Sequence, residues 1–150
     1  MRVVIQRCKE AKVEIEGKEV SKIKKGMLVL VAVEDTDTEE DIDFLVKKIV
    51  GLRIFDDKDG VMNLDIKQTE GEILVVSQFT LFASTKKGNR PSYLRSSKPD
   101  FSRPMYEKFL LRLGESFGKQ IPSGVFGADM QVTLCNDGPV TIIIDTKLKE

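Results

Sequence analysis

The chain carries one long apolar segment near its middle, Ile73-Leu74-Val75-Val76-Ser77-Gln78-Phe79-Thr80-Leu81-Phe82. Its length and its aliphatic start predict a buried β-strand over Ile73–Phe82. Polar residues interrupt the segment from Ser77 onward, where such a strand would leave the core. The segment therefore predicts a strand inside a sheet and, at the end of that strand, a group of polar side chains.

Further strands are predicted toward the N-terminus. Residues 3–5 and 13–15 alternate apolar and polar side chains, as half-buried strands do, and Glu16-Gly17-Lys18 is typical of a hairpin turn. Met27–Val33 is apolar throughout, which predicts a central strand buried on both faces. A further short strand is expected at Leu52–Phe55.

A first helix is predicted after Thr38. Thr38 and Asp41 have the spacing of a capping box, and the acidic first turn suits the positive end of the helix dipole. Apolar residues then follow the spacing of one buried helical face: Ile42, Leu45, Val46 and Ile49. The seven acidic residues of 34–43 are therefore interpreted as helix-start chemistry and receive no catalytic role.

A second amphipathic helix is expected after a loop rich in Gly, Pro, Ser and Lys that covers roughly 84–103. Pro104 suits an early helical position, and Gly118 suits the position after the last turn. The expected buried face consists of Tyr106, Phe109, Leu110, Leu113 and Phe117.

Two closing strands, Met130–Leu134 and Val140–Ile144, are predicted on either side of Asn136-Asp137-Gly138-Pro139. The order of elements is then strands, helix, strands, helix, strands. Few helices and hairpin-like connections favour a mixed α/β fold, with a barrel-like and largely antiparallel sheet and two main helices, over a doubly wound parallel sheet. The length of 150 residues predicts a single domain over residues 1–150.

The composition limits the classes of binding partner that the chain is expected to have. The chain has 24 basic and 24 acidic residues, so no overall field that attracts nucleic acid is expected, and no DNA partner is expected. No apolar run has the length of a membrane helix, and no signal peptide is recognisable, which predicts a cytoplasmic protein without a membrane partner. The basic residues of 84–103 suit either a grip on one end of an RNA or an ordinary solvated loop.

The chain contains no histidine, which excludes a Ser-His-Asp triad, a Cys-His dyad and a histidine-bound metal. Cys8 and Cys135 lie far apart in the sequence in apolar contexts, and both are expected to be small buried residues. Neither a metal nor a cofactor is expected. Any catalysis must then use hydroxyls, carboxylates, Lys or Arg, backbone dipoles, or groups of the substrate itself.

Two segments are candidates for chemistry. Ser77-Gln78-Phe79-Thr80 stands at a strand end, where backbone N–H groups can stabilise an oxyanion and Ser77 or Thr80 could act as a nucleophile. The alternative is a polar turn with Phe79 in the core. Gly138-Pro139 is either a simple turn or, if the peptide is cis, a pair of carbonyl oxygens on one side that can accept hydrogen bonds from an ammonium group.

Over essentially its whole length the chain resembles the D-aminoacyl-tRNA deacylase (D-tyrosyl-tRNA deacylase) family. The similar segments occur in the family's order and are Met1–Arg7, Leu52–Phe55, Met62–Leu64, Gly71–Leu81, Arg90–Ser92, Phe126–Val132 and Asn136–Thr141. The resemblance implies the D-tyrosyl-tRNA deacylase-like fold. It also implies a proofreading hydrolase that binds the 3′ end of aminoacyl-tRNA and releases D-amino acids, with glycine as a further candidate substrate.

The resemblance also implies roles for particular residues. It implies a homodimer with the active site at the interface, where a cis Gly138-Pro139 of one copy enters the site of the other. Its carbonyls would hold the α-amino group and exclude an L side chain, with Arg7 bracing the segment. Ser77-Gln78-Phe79-Thr80 would line the ester, and Phe79 would contact the terminal adenosine. Met130 and Ser97 are further expected substrate-binding residues.

In the mechanism that the family favours, the 2′-hydroxyl of the terminal ribose assists the attack, which suits a chain without histidine. A nucleophilic Thr80 ranks second. Two departures from the family pattern concern tRNA contacts: Phe82-Ala83-Ser84 replaces a Tyr, a small residue and an acid, and Ser96-Ser97 stands where Gly or Ala is common. Two alternative functions stay open, a catalytically silent RNA-binding module and a deacylase of the same fold with relaxed chirality.

Overall fold

The sheet is organised around the first strand. In the computed structural model, which describes residues 1–148, β1 (Arg2–Ile15) pairs along its whole length with the last strand, β7 (Gln131–Asp145). Its other edge is shared by two strands, β2 (Lys18–Ile23) beside its second half and β3 (Gly26–Ala32) beside its first half. These three pairings are antiparallel, and the turn at residues 16–17 confirms the predicted hairpin.

One parallel pairing makes the sheet mixed. β6 (Glu72–Ser77) runs parallel to β3, so the carboxyl ends of both strands meet at one edge. β4 (Phe55–Asp56) and β5 (Met62–Leu64) form a separate two-stranded ribbon. The sheet curls into a half barrel with two helices, which confirms the predicted mixed α/β fold.

The two helices, α1 (Glu39–Gly51) and α2 (Pro99–Phe117), pack together and cover one face of the sheet. The buried residues of α1 include the predicted face. Its first turn is closed by the Asp41 carboxylate, which accepts the backbone N–H of Thr38 at 2.8 Å. Among the described residues, no helix is long and apolar enough to cross a membrane.

The apolar residues form two clusters. The larger lies between the helices and the sheet. The smaller lies on the other face of the sheet, around Cys8, Leu28 and Leu74, and is flanked by the half-buried Met130 and Val132. The edge of this second cluster leads to the cavity described below.

Five expectations about the fold were wrong in part. The strand predicted over Ile73–Phe82 ends at Ser77, where the N–H of Gln78 bonds to the carbonyl of Val31, and a 3-10 helix follows at Phe79–Phe82. Of the strand predicted at Leu52–Phe55, only Phe55 lies in a strand, the ribbon strand β4. The proline-initiated helix begins at Pro99 and not near Pro104, because Pro99 presets the first helical φ angle and Pro104 lies inside the helix.

The remaining two corrections concern the C-terminal half. The two predicted closing strands are one strand, β7, because Asn136 pairs with Cys8 and Thr141 with Gln6, so the chain bulges between them without reversing. Cys135 is exposed, while Cys8 is buried as predicted. The alternation along β7 turns Cys135 away from the core.

Candidate active site

A cavity of about 600 Å³ opens where β3 and β6 end. Parallel strands bring their carboxyl ends together, so Val31–Val33 and Val76–Phe79 form one side of it. The start of α2 and the segment 126–130 form the other side. Of the predicted site residues, Ser77, Gln78, Phe79, Ser97 and Met130 line this cavity.

The start of the 3-10 helix leaves backbone donors free. Among the described residues, neither Phe79 nor Thr80 donates its backbone N–H to an acceptor in the chain. The Gln78 side-chain amide donates to Thr80 Oγ1 at 2.5 Å, which holds the threonine hydroxyl beside the string. The site therefore offers unengaged N–H groups next to two fixed polar side chains.

Phe79 is outside the core. Its side chain is 57% exposed, which excludes the interpretation of this residue as a core aromatic. Its ring lies edge-on to Tyr93, with centroids 5.1 Å apart, and the Ser96 hydroxyl donates to its carbonyl oxygen at 2.6 Å. Phe79 thus presents an exposed aromatic ring, and Tyr93 and Ser96 hold it in place.

Ser97 and Met130 bound the cavity in different ways. Ser97 is buried, its N–H bonds to the Val33 carbonyl, and its hydroxyl donates to the Asp35 carboxylate. This bond turns the hydroxyl toward Asp35. Met130 packs against Gly124, where an added Cβ would lie 2.5 Å from its sulfur. Both residues therefore shape the walls.

Ionisable groups on the cavity are few. Burial raises the pKa of the Tyr106 phenol to about 12, so Tyr106 stays neutral at physiological pH. Lys98 and Asp129 also line the cavity and are exposed. Burial raises the pKa of the Cys8 thiol to about 11, which leaves no thiolate for nucleophilic attack.

A second cluster forms around Arg7. This guanidinium is buried; its Nε donates to the Asp137 carbonyl at 3.0 Å, and its Nη1 donates to the Ile54 carbonyl at 2.7 Å and to the Asp56 carboxylate at 3.1 Å. The next peptide, Gly138-Pro139, is cis, as the resemblance implies. Both residues of that peptide are exposed.

The two clusters lie apart on one chain. Among the described residues that line the cavity, Arg7, Gly138 and Pro139 do not occur. The chain therefore presents a cavity at the ends of β3 and β6, and a separate, braced and exposed peptide on β7.

Several residues of the site were not singled out from the sequence. Tyr93 and Lys98 belong to the basic segment, but nothing in the local pattern predicts that they reach the cavity. Asp35 belongs to an acidic run that we interpreted as helix-start chemistry, yet it accepts the Ser97 hydroxyl. Only the return of the chain across the end of the sheet brings these residues to the cavity.

Comparison with known proteins gives the class of this chain and then its family. A family model described as D-Tyr-tRNA(Tyr) deacylase matches residues 4–145. A D-aminoacyl-tRNA deacylase of Flavobacterium johnsoniae is 58% identical, and one of Bacteroides fragilis is 62% identical, each over the full length of both chains. The chain is thus an enzyme of the hydrolase class. It belongs to the D-Tyr-tRNA(Tyr) deacylase family.

Solved structures agree with the fold. A protein described as c-Myc DNA Unwinding Element Binding Protein superposes with a TM-score of 0.92 at 37% identity, covering 97% of this chain and 98% of that chain. A probable eukaryotic D-amino acid tRNA deacylase superposes with a TM-score of 0.82 at 19% identity, covering 95% and 97%. The second likeness concerns the fold alone.

Proposed function

We propose that this enzyme hydrolyses the ester bond of D-aminoacyl-tRNA, releasing a D-amino acid and tRNA, and leaves L-aminoacyl-tRNA intact. The observation that carries the proposal is the full-length similarity, at 58% and 62% identity, to proteins named D-aminoacyl-tRNA deacylase. The reaction would take place in the cavity lined by Ser77, Gln78 and Phe79. The same site would admit glycyl-tRNA, because glycine has no side chain to exclude.

Catalysis is proposed to rest on positioning and backbone electrostatics. The free N–H groups of Phe79 and Thr80 would stabilise the oxyanion that forms when water attacks the ester carbonyl. The 2′-hydroxyl of the terminal ribose would assist that attack, and the ribose oxygen of the ester would leave with a proton. The Thr80 hydroxyl accepts from Gln78 and contacts no basic side chain among the described residues, which favours a positioning role.

Chirality is proposed to be read by the Gly138-Pro139 segment. Its carbonyl oxygens would accept hydrogen bonds from the α-ammonium group, and an L side chain would then be directed into the peptide itself. Support comes from the bracing of this segment by Arg7, whose guanidinium bonds to the carbonyl directly before Gly138. Since the ligands would be backbone atoms, side chains of many D-amino acids would be accepted.

A second copy of the chain is proposed to complete the site. The cavity and the Gly138-Pro139 segment lie apart on one copy, so a homodimer would bring the segment of one copy to the cavity of the other. Two features support this arrangement. Along the described chain β7 pairs only with β1, which leaves a 15-residue strand with a free edge, and Ile143 on it is 63% exposed. We propose the cytoplasm as the place of action.

The test is hydrolysis of D-Tyr-tRNA and L-Tyr-tRNA by the purified protein in the presence of a chelator, followed as release of free tyrosine. Hydrolysis of the D-ester alone is expected. Hydrolysis of both esters would favour the deacylase with relaxed chirality. Hydrolysis of neither by folded protein would contradict the proposal and favour the silent RNA-binding module.

A further inference from the structure

The segment Ser84–Lys98, here called the tongue, projects beside the cavity. Its base is closed by two backbone hydrogen bonds of 2.8 Å between Ser84 and Ser92. Every residue between these two serines is exposed. The tongue thus begins two residues after the 3-10 helix of the site with a solvent-exposed hairpin, and its last residues return to the cavity wall, where Ser97 is buried.

All charged residues of the tongue are basic. It contains five basic residues, Lys86, Lys87, Arg90, Arg95 and Lys98, and no acidic residue, although the chain as a whole is neutral. Within the part of the chain that the structure describes, only Arg95 forms an ion pair, with Glu34 at 3.5 Å. Four cations are therefore left unneutralised on one small projection.

Apolar surface accompanies this charge. Tyr93 is 40% exposed and Leu94 is 94% exposed, and Tyr93 meets the exposed Phe79 ring edge-on. Proteins that bind single-stranded nucleic acids combine exposed aromatic rings with free cations, because the bases stack on the rings and the phosphates pair with the cations. A duplex would offer phosphates only, since its bases are stacked inside.

The tongue is also fastened to the site. The Ser96 hydroxyl donates to the Phe79 carbonyl, and the Arg95 guanidinium lies over the Phe82 ring, 5.1 Å from its centroid. A strand of RNA that lies along the tongue would therefore end at Phe79 and the cavity.

We propose that the tongue binds the single-stranded nucleotides that precede the terminal adenosine of the tRNA. Lys86, Lys87 and Arg90 contact their phosphates, and Tyr93 and Leu94 pack against their bases. This inference rests on the proposed function and extends the binding site beyond the terminal nucleoside. It accounts for a basic, solvated projection on a neutral protein.

The test compares two substrates, D-Tyr-tRNA and D-tyrosyl-adenosine, which has the ester but no phosphodiester. The double variant Lys86→Gln with Lys87→Gln is expected to lower kcat/KM for D-Tyr-tRNA about fivefold or more, and to reduce the slope of log(kcat/KM) against log[salt] by about 1.4. Hydrolysis of D-tyrosyl-adenosine is expected to stay as in the wild type. The matched control is Lys24→Gln with Lys25→Gln, an exposed pair before β3 at the opposite end of the sheet.

Binding of uncharged tRNA, measured by fluorescence anisotropy, separates this inference from the proposed function. The lysine variant is expected to weaken this binding, Tyr93→Ala to weaken it about fivefold or more, and Tyr93→Phe to leave it unchanged, since a stacked base is worth about 1–3 kcal/mol. If the wild-type protein hydrolyses neither ester but the variants weaken binding, the proposed function fails and the tongue assignment stands. Unchanged tRNA binding and kinetics in the variants, or equal losses on both substrates, would overturn the assignment and leave a protein partner as the alternative.

Discussion

The backbone conformation and the close neighbours of Gly138 both favour glycine at this position. Its φ angle is +126°, which side chains with a Cβ rarely adopt, and an added Cβ would lie 2.9 Å from Val140 Cγ2 and 3.1 Å from a nitrogen of Arg7. The Arg7 nitrogen belongs to the group that braces the segment, so a methyl group would displace both. A side chain at position 138 would therefore disturb both the backbone conformation and the contact with Arg7.

Gly138→Ala is expected to lower kcat/KM for D-Tyr-tRNA about 100-fold or more, or to abolish the preference for the D-ester, because displacement of a positioning group by about 1 Å has effects of this size. Steady-state kinetics on both esters measure it. The control is Gly60→Ala, whose φ angle is +75° but whose Cβ would meet open space. Wild-type rates and chirality in Gly138→Ala would contradict the clamp.

Thr80 allows a decision between positioning and nucleophilic roles. Valine has nearly the same shape but lacks the hydroxyl that accepts from Gln78. Loss of one such hydrogen bond corresponds to about 0.5–1.5 kcal/mol, so Thr80→Val is expected to keep kcat within about tenfold of the wild type. Loss of a nucleophile would cost on the order of 10⁶-fold. Single-turnover kinetics measure the rate, and a tyrosyl ester of the protein trapped by acid quench would contradict the positioning role.

Glycine stands at the C-terminal end of both helices, but in different backbone conformations. Gly118 ends α2 with a φ angle of +81° and its N–H bonded to the Gly114 carbonyl at 2.8 Å. Gly51 is the last residue of α1, and its Cβ would meet open space. The two positions look alike in sequence and differ in backbone conformation.

Gly118→Ala is expected to lower the free energy of unfolding by about 1 kcal/mol, because alanine is strained in the left-handed region. Gly51→Ala is expected to leave it unchanged or to raise it by up to about 1 kcal/mol, because alanine favours the helix. Urea denaturation of both variants measures the difference. A Gly118→Ala variant as stable as Gly51→Ala would contradict the assigned helix end.

The acid sensitivity of the fold is expected to depend on the start of α1. Burial raises the pKa of the Asp41 carboxyl, but hydrogen bonds from Thr146, Lys147 and the Thr38 backbone outweigh it, and the pKa lies well below its usual value near 3.8. A carboxyl with a lowered pKa in the folded state stabilises the protein above its unfolded pKa, and this stability is lost as the pH falls.

Asp41→Asn is therefore expected to be less stable than the wild type at pH 7, and the difference is expected to shrink below about pH 4, where the unfolded carboxyl binds its proton. Urea denaturation at pH 7, 5, 3 and 2 measures it. Asp59→Asn, in an exposed turn, serves as the control. A difference that stays constant with pH would contradict this role of Asp41.

Local patterns were sufficient for the elements whose burial follows one period. The alternation at residues 3–5 and 13–15, the apolar run of β3 and the buried face of α1 each specify their environment without reference to distant residues. They failed at Ile73–Phe82, because an apolar residue such as Phe79 can stay exposed and a 3-10 helix is as apolar as a strand. They also failed at residues 136–139, where a turn-like composition forms a bulge in a strand paired with β1 on both sides of it.

The site itself could be predicted in its parts but not in its assembly. Ser77-Gln78 and Gly138-Pro139 stand out by residue type, whereas Tyr93 and Asp35 reach the site by tertiary contacts that no local pattern encodes. The separation of cavity and Gly138-Pro139 segment on one copy is likewise a property of the folded chain.

In the proposed homodimer, the cavity of one copy and the Gly138-Pro139 segment of the other form one active site. The measurement uses two variants, one with Phe79→Ala in the cavity wall and Thr80→Ala beside it, and one with Gly138→Ala, each first shown to be folded and to have lost D-Tyr-tRNA hydrolysis on its own. Equal amounts of the two are mixed, and D-Tyr-tRNA hydrolysis is assayed after subunit exchange. In a two-fold symmetric dimer, half of the dimers are mixed and each has one intact composite site, so about one quarter of the wild-type activity is expected to return. Activity that stays at the level of the separate variants after complete exchange would contradict the shared site.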